Sequence, residues 1–308
     1  MKTTALAAVL LLAVAPRAEA SKLRVVATLP ELVDVVSRIG GELVSVDGLA
    51  RGTEDVHQIV MKPSFVTKLN RADAVVYLGL TVEHGFLPGL LEGARNEKMR
   101  PDPDTSNCLG DGCIDCSAGV RVLDKPESVS RAQGDIHPQG NPHYNLNPEN
   151  GRLIARNIAS GLTRIDPEHA SAYQKNLKAY LGEFEPKLGE WREMAAPLKG
   201  VKAVSYHKDI PYLGAFTGID FVDTLELKPG VAPTPTHLVA LVKKMRELKV
   251  TLIVREQQYD AKTPAWLAEQ TGAKVAVIGT MANSLPGTET FIKLSETNLK
   301  NLLKAVEK

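Results

Sequence analysis

Short apolar runs alternate with amphipathic stretches along most of the chain. Each run is four to six residues long and ends at Gly, Pro or a polar turn, which is typical of a buried β-strand. The runs are residues 23–28, 43–46, 74–79, 201–205, 221–225, 251–254 and 274–278. Between them, apolar residues recur every three or four positions and predict helices, most clearly over 235–248 and 263–270. This alternation predicts an α/β protein with mostly parallel sheets.

One amphipathic stretch is much longer than the others. It begins at the capping pair Asp166-Pro167 and continues to about Ala195, with Pro186 as the place where it would kink. About 30 helical residues extend about 45 Å, long enough to cross two lobes. We therefore predict two α/β lobes joined by a long rigid backbone helix. The predicted segments are an N-terminal lobe at 21–160, the helix at 161–198 and a C-terminal lobe at 199–308.

The first 20 residues have the features of an export signal. Lys2 is followed by an apolar run over 5–14 and by the small-x-small cleavage site Ala18-Glu19-Ala20. The apolar run is too short to span a membrane, and no cysteine follows the predicted cleavage point. We expect a soluble, monomeric, periplasmic protein after cleavage.

Charge and motifs exclude several classes of partner. Without the leader, basic and acidic side chains are equal in number, so there is no electrostatic basis for binding nucleic acid or a membrane surface. The chain also has no Gly-x-Gly-x-x-Gly motif and no phosphate loop, so the sequence does not support nucleotide binding.

Residues 99–140 interrupt the alternating pattern. They are rich in Pro, Gly, Asp and Ser, and we expect a mobile insertion with a functional role in the N-terminal lobe. The insertion contains Cys108, Cys113 and Cys116. In an oxidising compartment their spacing favours one local disulfide and one leftover thiol, because a thiolate metal site would need a second pair.

Three of the seven histidines lie where a strand or loop gives way to a helix: His57, His143 and His207. In α/β sheets this edge lines the binding crevice. His143 follows a proline and precedes Asn147, which can cap a helix that starts at Pro148. Two of the three come from the first half of the chain and one from the second. They would converge between the lobes as a metal site.

The other four histidines have simpler interpretations. His169 lies at the start of the long helix, His237 follows a helix cap, and His84 lies at the end of a strand. His137 lies with Asp135 in the insertion, where it could capture a metal ion and relay it inward. A solvated loop residue is the favoured interpretation of His137.

The same segments resemble the metal-binding solute receptors of ABC importers that serve zinc and manganese uptake. The matching segments are 55–64, 141–148 and 205–207, the three ligand segments, with 254–256 and 271–275 in the C-terminal lobe. The resemblance covers essentially the whole mature chain in the right order. It implies two α/β lobes with a metal ion between them and an ABC permease as partner. A periplasmic metallochaperone is a further candidate partner.

The resemblance also implies which metal binds. The third ligand is histidine in the zinc receptors and commonly glutamate in the manganese receptors, and here it is His207. Three imidazoles favour zinc, whereas manganese prefers oxygen donors, so Zn²⁺ is the predicted transported ion. Asn283 replaces the aspartate that the family usually places in the C-terminal lobe. Glu256 is therefore the preferred candidate for the fourth ligand, or for the acceptor of a ligand's second N–H, with water as the alternative.

The predicted function is that of a periplasmic, high-affinity zinc receptor that delivers the ion to an ABC permease and is not an enzyme. A manganese-type receptor or adhesin is one alternative. The other is a zinc hydrolase with three histidine ligands and Glu256 as general base. The chain has no His-Glu-x-x-His spacing, which argues against the hydrolase.

Overall fold

The computed structural model describes residues 21–105, 107–128 and 137–307. The predicted leader and Asp135 lie outside the described residues. The chain forms two α/β lobes, each built on a parallel four-stranded sheet, as the alternating pattern predicted. No helix within these described ranges is both long and apolar enough to cross a membrane.

The N-terminal sheet has the order β2-β1-β3-β6, with all neighbours parallel. Its strands are β1 (Leu23–Ala27), β2 (Val44–Gly48), β3 (Ala74–Tyr77) and β6 (Cys113–Asp115). Four helices belong to this lobe: α1 (Pro30–Gly40), α2 (Pro63–Arg71), α3 (Leu87–Ala94) and α4 (Gly151–Ile165). Three of them start with proline at the first or second position, where the missing N–H leaves no helical hydrogen bond unmade.

The C-terminal sheet has the order β10-β9-β7-β8, again with all neighbours parallel. Its strands are β7 (Lys202–Ser205), β8 (Asp220–Thr224), β9 (Leu252–Glu256) and β10 (Lys274–Ile278). Its helices are α6 (Pro211–Thr217), α7 (Pro235–Leu248), α8 (Lys262–Thr271) and α9 (Phe291–Val306). The apolar runs of the sequence therefore correspond to seven of the strands, with ends shifted by a few residues.

The long helix α5 (Ala170–Ala195) is present as predicted, with Pro186 inside it. At 26 residues it is about 39 Å long. Its apolar face is fully buried through Tyr173, Phe184 and Trp191, and burial of each such ring stabilises the fold by roughly 2 kcal/mol or more. The helix packs on α1 and α4 of the first lobe and on α9 of the second. It therefore holds the two lobes together along one side.

The expectation of an irregular insertion over 99–140 is wrong for its first part. Residues 100–101 and 108–109 form the antiparallel strands β4 and β5, and β6 completes the main sheet by pairing with β3. These strands are two or three residues long, too short to show a hydrophobic period. A Cys108–Cys113 disulfide joins β5 to β6, and Cys116 is left as a buried free thiol, as predicted. Residues 129–136 of the insertion lie outside the described residues.

Candidate metal centre

The residues of the centre lie beyond the carboxyl ends of the parallel strands, where the edges of the two sheets face each other. His207 lies two positions after β7, Glu226 lies two positions after β8, and Glu256 is the last residue of β9. His57 follows β2 after a loop. This placement agrees with the crevice predicted from the order of strands and helices.

A short 3-10 turn, Val56–Gln58, carries His57. The Asp55 carboxylate caps this turn by accepting a hydrogen bond of 2.9 Å from the His57 backbone N–H. Gly85 allows the turn to approach, because a Cβ at that position would lie 2.6 Å from the His57 carbonyl oxygen. The imidazole is thereby directed at His143, and the two Nε2 atoms are 3.2 Å apart.

Asn141 positions the buried His143. Its Oδ1 accepts from the His143 backbone N–H at 3.1 Å, and its Nδ2 donates to the Lys208 carbonyl at 2.9 Å. Because Lys208 follows His207, the same side chain ties the His143 segment to the opposite lobe. Asn147 acts as a cap, as predicted, but of a 3-10 turn over Pro148–Asn150 that precedes α4.

The hydrogen bonds described for His207 come from the C-terminal lobe. The Ser205 hydroxyl donates to the His207 carbonyl at 2.7 Å, and His207 Nδ1 lies 2.6 Å from Glu226 Oε2. A carboxylate at this distance keeps the proton on Nδ1, which leaves the Nε2 lone pair for a ligand. Burial lowers the pKa of His207, but the hydrogen bond to Glu226 and the charge of Asp209 outweigh it and raise the pKa overall.

The three predicted histidines come together. The His207 ring centroid is 5.8 Å from that of His57 and 6.1 Å from that of His143. Tetrahedral zinc with bonds of about 2.0–2.1 Å would place its nitrogen ligands about 3.3 Å apart. The 3.2 Å between His57 and His143 matches that spacing. Burial, and then the charges of the neighbouring imidazoles, lower the pKa of His143 well below its usual value, so this ring is neutral at neutral pH.

An interlobe cavity of about 10 Å³ touches all three imidazoles. A volume near this size holds about one water molecule. Asp55 and Asn145 line it from the first lobe, and Asp209 and Thr280 line it from the second. The cavity therefore has room for a single small ion. A wider groove of about 590 Å³ opens beside it.

The predicted fourth ligand, Glu256, is fully buried and does not line this cavity. Its Oε1 accepts from the His207 backbone N–H at 3.4 Å, and its carboxyl group is hydrogen bonded to that of Asp209. Burial raises the pKa of both groups; the neighbouring Asp209 carboxyl raises the pKa of Glu256 further, whereas the hydrogen bond to Glu256 lowers that of Asp209. Glu226, rather than Glu256, accepts the second N–H of a histidine.

Asn283 lies away from the cavity. It is exposed at a turn with a φ of 63°, whereas Thr280 and Met281 of the same segment line the cavity. Asn283 therefore faces solvent rather than the predicted metal site.

Two further histidines join the cluster, although sequence analysis set them aside. The ring centroid of His137 lies 5.1 Å from that of His57, and the ring centroid of His84 lies 5.4 Å from that of His137. His84 follows the carboxyl end of β3, so the rule that selected His207 would also have selected it. Sequence analysis likewise missed Asp209 and Glu226. His169 and His237 bond elsewhere, to Asp166 and to the Thr224 carbonyl.

Comparison with known proteins gives a consistent result. Residues 25–305 match the family model described as zinc-uptake complex component A, periplasmic (ZnuA). The metal ABC transporter substrate-binding lipoprotein ScbA of Streptococcus cristatus is 26% identical over 293 residues, which cover 94% of this chain and 90% of its own length. The manganese ABC transporter substrate-binding lipoprotein PsaA of Streptococcus anginosus is 25% identical over 292 residues, with coverages of 93% and 90%. A crystal structure of ZnuA aligns with a TM-score of 0.76 at 24% identity, covering 93% of this chain and 100% of that one.

Proposed function

We propose that this chain, which belongs to the ZnuA family of periplasmic zinc-uptake components, binds Zn²⁺ between its lobes and delivers it to an ABC permease. The observation that carries the proposal is the convergence of His57, His143 and His207 on a cavity with room for one ion. Two of these imidazoles come from the first lobe and one from the second. Occupancy by an ion would therefore be linked to the distance between the lobes, which a permease can sense.

The donor set supports zinc as the ion. Imidazole nitrogen is a good ligand for zinc, whereas manganese favours carboxylate and carbonyl oxygen. Among the nearby carboxylates, Glu226 is bonded to Nδ1 of His207, Asp55 accepts from the His57 backbone, and Glu256 lies outside the cavity. We place Glu256 in a supporting role, in which it holds the backbone of His207, with the three imidazoles as ligands.

The partner and the compartment belong to the same proposal. A membrane permease receives the ion from a monomeric, exported receptor, and a periplasmic metallochaperone is a candidate donor. The chain acts by binding and release and is not an enzyme. Metal affinity should fall in mild acid, because each imidazole must lose its proton to bind the ion.

Titration of the metal-free mature protein with Zn²⁺ against a chromophoric chelator tests the proposal. Each of His57→Ala, His143→Ala and His207→Ala should lower the affinity by about 100-fold or more, since each removes a ligand of a site with few ligands. His237→Ala is the matched control, because this ring bonds to the Thr224 carbonyl away from the cavity. Full affinity in two of the three ligand variants would refute the assignment.

A manganese receptor is the alternative with an observation in its favour, namely the relative named for manganese. The two ions are distinguished by competition, in which Mn²⁺ is titrated into the zinc-loaded protein. Displacement of zinc at comparable concentrations of the two free ions would favour manganese and contradict the zinc assignment. Esterase assays on the zinc-loaded protein test the remaining alternative, a hydrolase.

A further inference from the structure

His137 lies within coordinating reach of the centre. One ligand atom from each of His57, His137 and His143 can be chosen so that all three lie within 4.8 Å of one another. The His137 ring centroid is 5.1 Å from that of His57 and 6.1 Å from that of His143. An inward shift of at most about 1.5 Å would bring its ligand nitrogen to the spacing of about 3.3 Å that tetrahedral zinc requires.

Thr81 holds the His137 ring in this place. The Thr81 hydroxyl lies 2.9 Å from His137 Nδ1, and the Thr81 carbonyl lies 2.9 Å from His84 Nδ1. Thr81 is buried and has a φ of 67°, a conformation that is costly for a β-branched residue and persists only where its surroundings impose it. Metal-binding histidines commonly have one ring nitrogen held by such a partner, and the other nitrogen is then the ligand. By this rule, Nε2 is the His137 atom that would bind the ion.

Other candidates for a fourth ligand are less suitable. Glu256 is fully buried outside the cavity, and Asn283 is exposed at a turn. His137 instead lines the wider groove together with His143, and its ring lies 5.1 Å from that of His57, which lines the small cavity. A nitrogen at this position would close the coordination shell on the side from which an ion enters.

We propose that His137 is the fourth ligand, so that the loaded protein holds its ion through the four imidazoles of His57, His137, His143 and His207. This inference rests on the proposed function and deepens it, because it also accounts for the choice of metal. Four neutral nitrogen donors suit Zn²⁺ and disfavour Mn²⁺, Mg²⁺ and Ca²⁺. Removal of His137 leaves three imidazoles and an open position that water can fill, an arrangement that tolerates a harder ion.

Spectroscopy on the full mature protein tests this directly. Zinc-edge X-ray absorption should count four imidazoles in the wild type and three in His137→Ala. Visible spectra of the Co²⁺ forms should show a change of coordination in the same variant. Zinc affinity should fall by about 10- to 100-fold in His137→Ala, while manganese affinity changes much less.

Two controls sharpen the result. His169→Ala removes a ring that bonds to Asp166 away from the cluster, and it should keep four imidazoles and wild-type affinity. Thr81→Ala should lower zinc affinity by loosening His137, whereas Thr81→Ser, which keeps the hydroxyl, should restore it. His137→Gln serves as a second variant, and unchanged circular dichroism of the metal-free proteins checks that each variant folds.

The outcomes separate the two proposals. Loss of binding in His143→Ala with no change of spectrum or affinity in His137→Ala would overturn the role of His137 and leave the three-histidine site intact. Unchanged binding in both variants would overturn the proposed function as well. A count of four imidazoles in the wild type and in the control variant that falls to three in His137→Ala would establish the inference.

Discussion

Substitution of Glu226 offers the sharpest test of how the C-terminal lobe orients His207 for metal binding. The carboxylate is buried, lies 2.6 Å from Nδ1 of His207 and also accepts from the Gly230 backbone N–H at 3.2 Å. It therefore sets the tautomer and the direction of the ring and increases the basicity of Nε2. Removal of such a partner typically costs 10- to 100-fold in metal affinity, or about 1.4–2.7 kcal/mol.

Two substitutions at this position separate charge from hydrogen bonding. Glu226→Gln keeps the shape of the side chain and an oxygen acceptor for Nδ1–H but removes the charge, so we expect a loss near tenfold. Glu226→Ala removes the acceptor as well and leaves a buried N–H without a partner, so we expect a loss near 100-fold. Glu185→Gln on α5 is the matched control, because its carboxylate is partly exposed and pairs with Arg152.

The assay is competition between the metal-free protein and a chelator of known zinc affinity at neutral pH. Thermal unfolding of each metal-free variant measures the effect on the fold, so that a loss of binding can be corrected for any unfolded fraction. The expected order of affinity is wild type and Glu185→Gln, then Glu226→Gln, then Glu226→Ala. If both Glu226 variants bind zinc as tightly as the wild type, Glu226 does not position the ligand and the assignment of His207 loses its support.

The remaining predictions concern the fold. Gly151→Ala would place a Cβ 2.5 Å from Phe184 Cζ and should lower the free energy of unfolding in urea by about 1–3 kcal/mol. Gly182→Ala is the control, because there is open space around that position. Equal stability of the two variants would contradict this packing. Burial raises the pKa of Glu31 to about 7 from its usual 4.5, so the folded state retains a proton that the unfolded state releases. Stability from this group should therefore fall by about 3 kcal/mol as the pH rises from 4.5 to 7, and an unchanged pH slope in Glu31→Gln would rule this out. Burial also raises the pKa of the Cys116 thiol, so iodoacetamide should label it only after unfolding. Rapid labelling of the native protein would show instead that the Cys116 thiol is accessible to solvent.

Much of the fold could be predicted from local pattern. Seven strands and the long helix were visible because each buries a continuous face, and a buried face leaves a period in the sequence. The short strands over 100–115 were not visible, because two or three residues carry no period. Their pairing depends on the β4–β5 hairpin, on the Cys108–Cys113 disulfide and on the edge of β3 with which β6 pairs. All three are tertiary features.

The candidate site likewise has a part that the sequence predicts and a part that depends on tertiary structure. The sequence alone predicted that His57, His143 and His207 lie where a strand or loop gives way to a helix, the edge that lines the crevice of α/β sheets. Only the tertiary structure decided which side chains lie next to them. His137 packs against His57, Glu226 is hydrogen bonded to His207, and Glu256 is hydrogen bonded to Asp209. The physical reason is the separation along the sequence of the residues that interact. A strand or a helix is specified by neighbours a few positions apart, whereas a metal site depends on distances of a few ångströms between residues that the sequence separates by scores of positions.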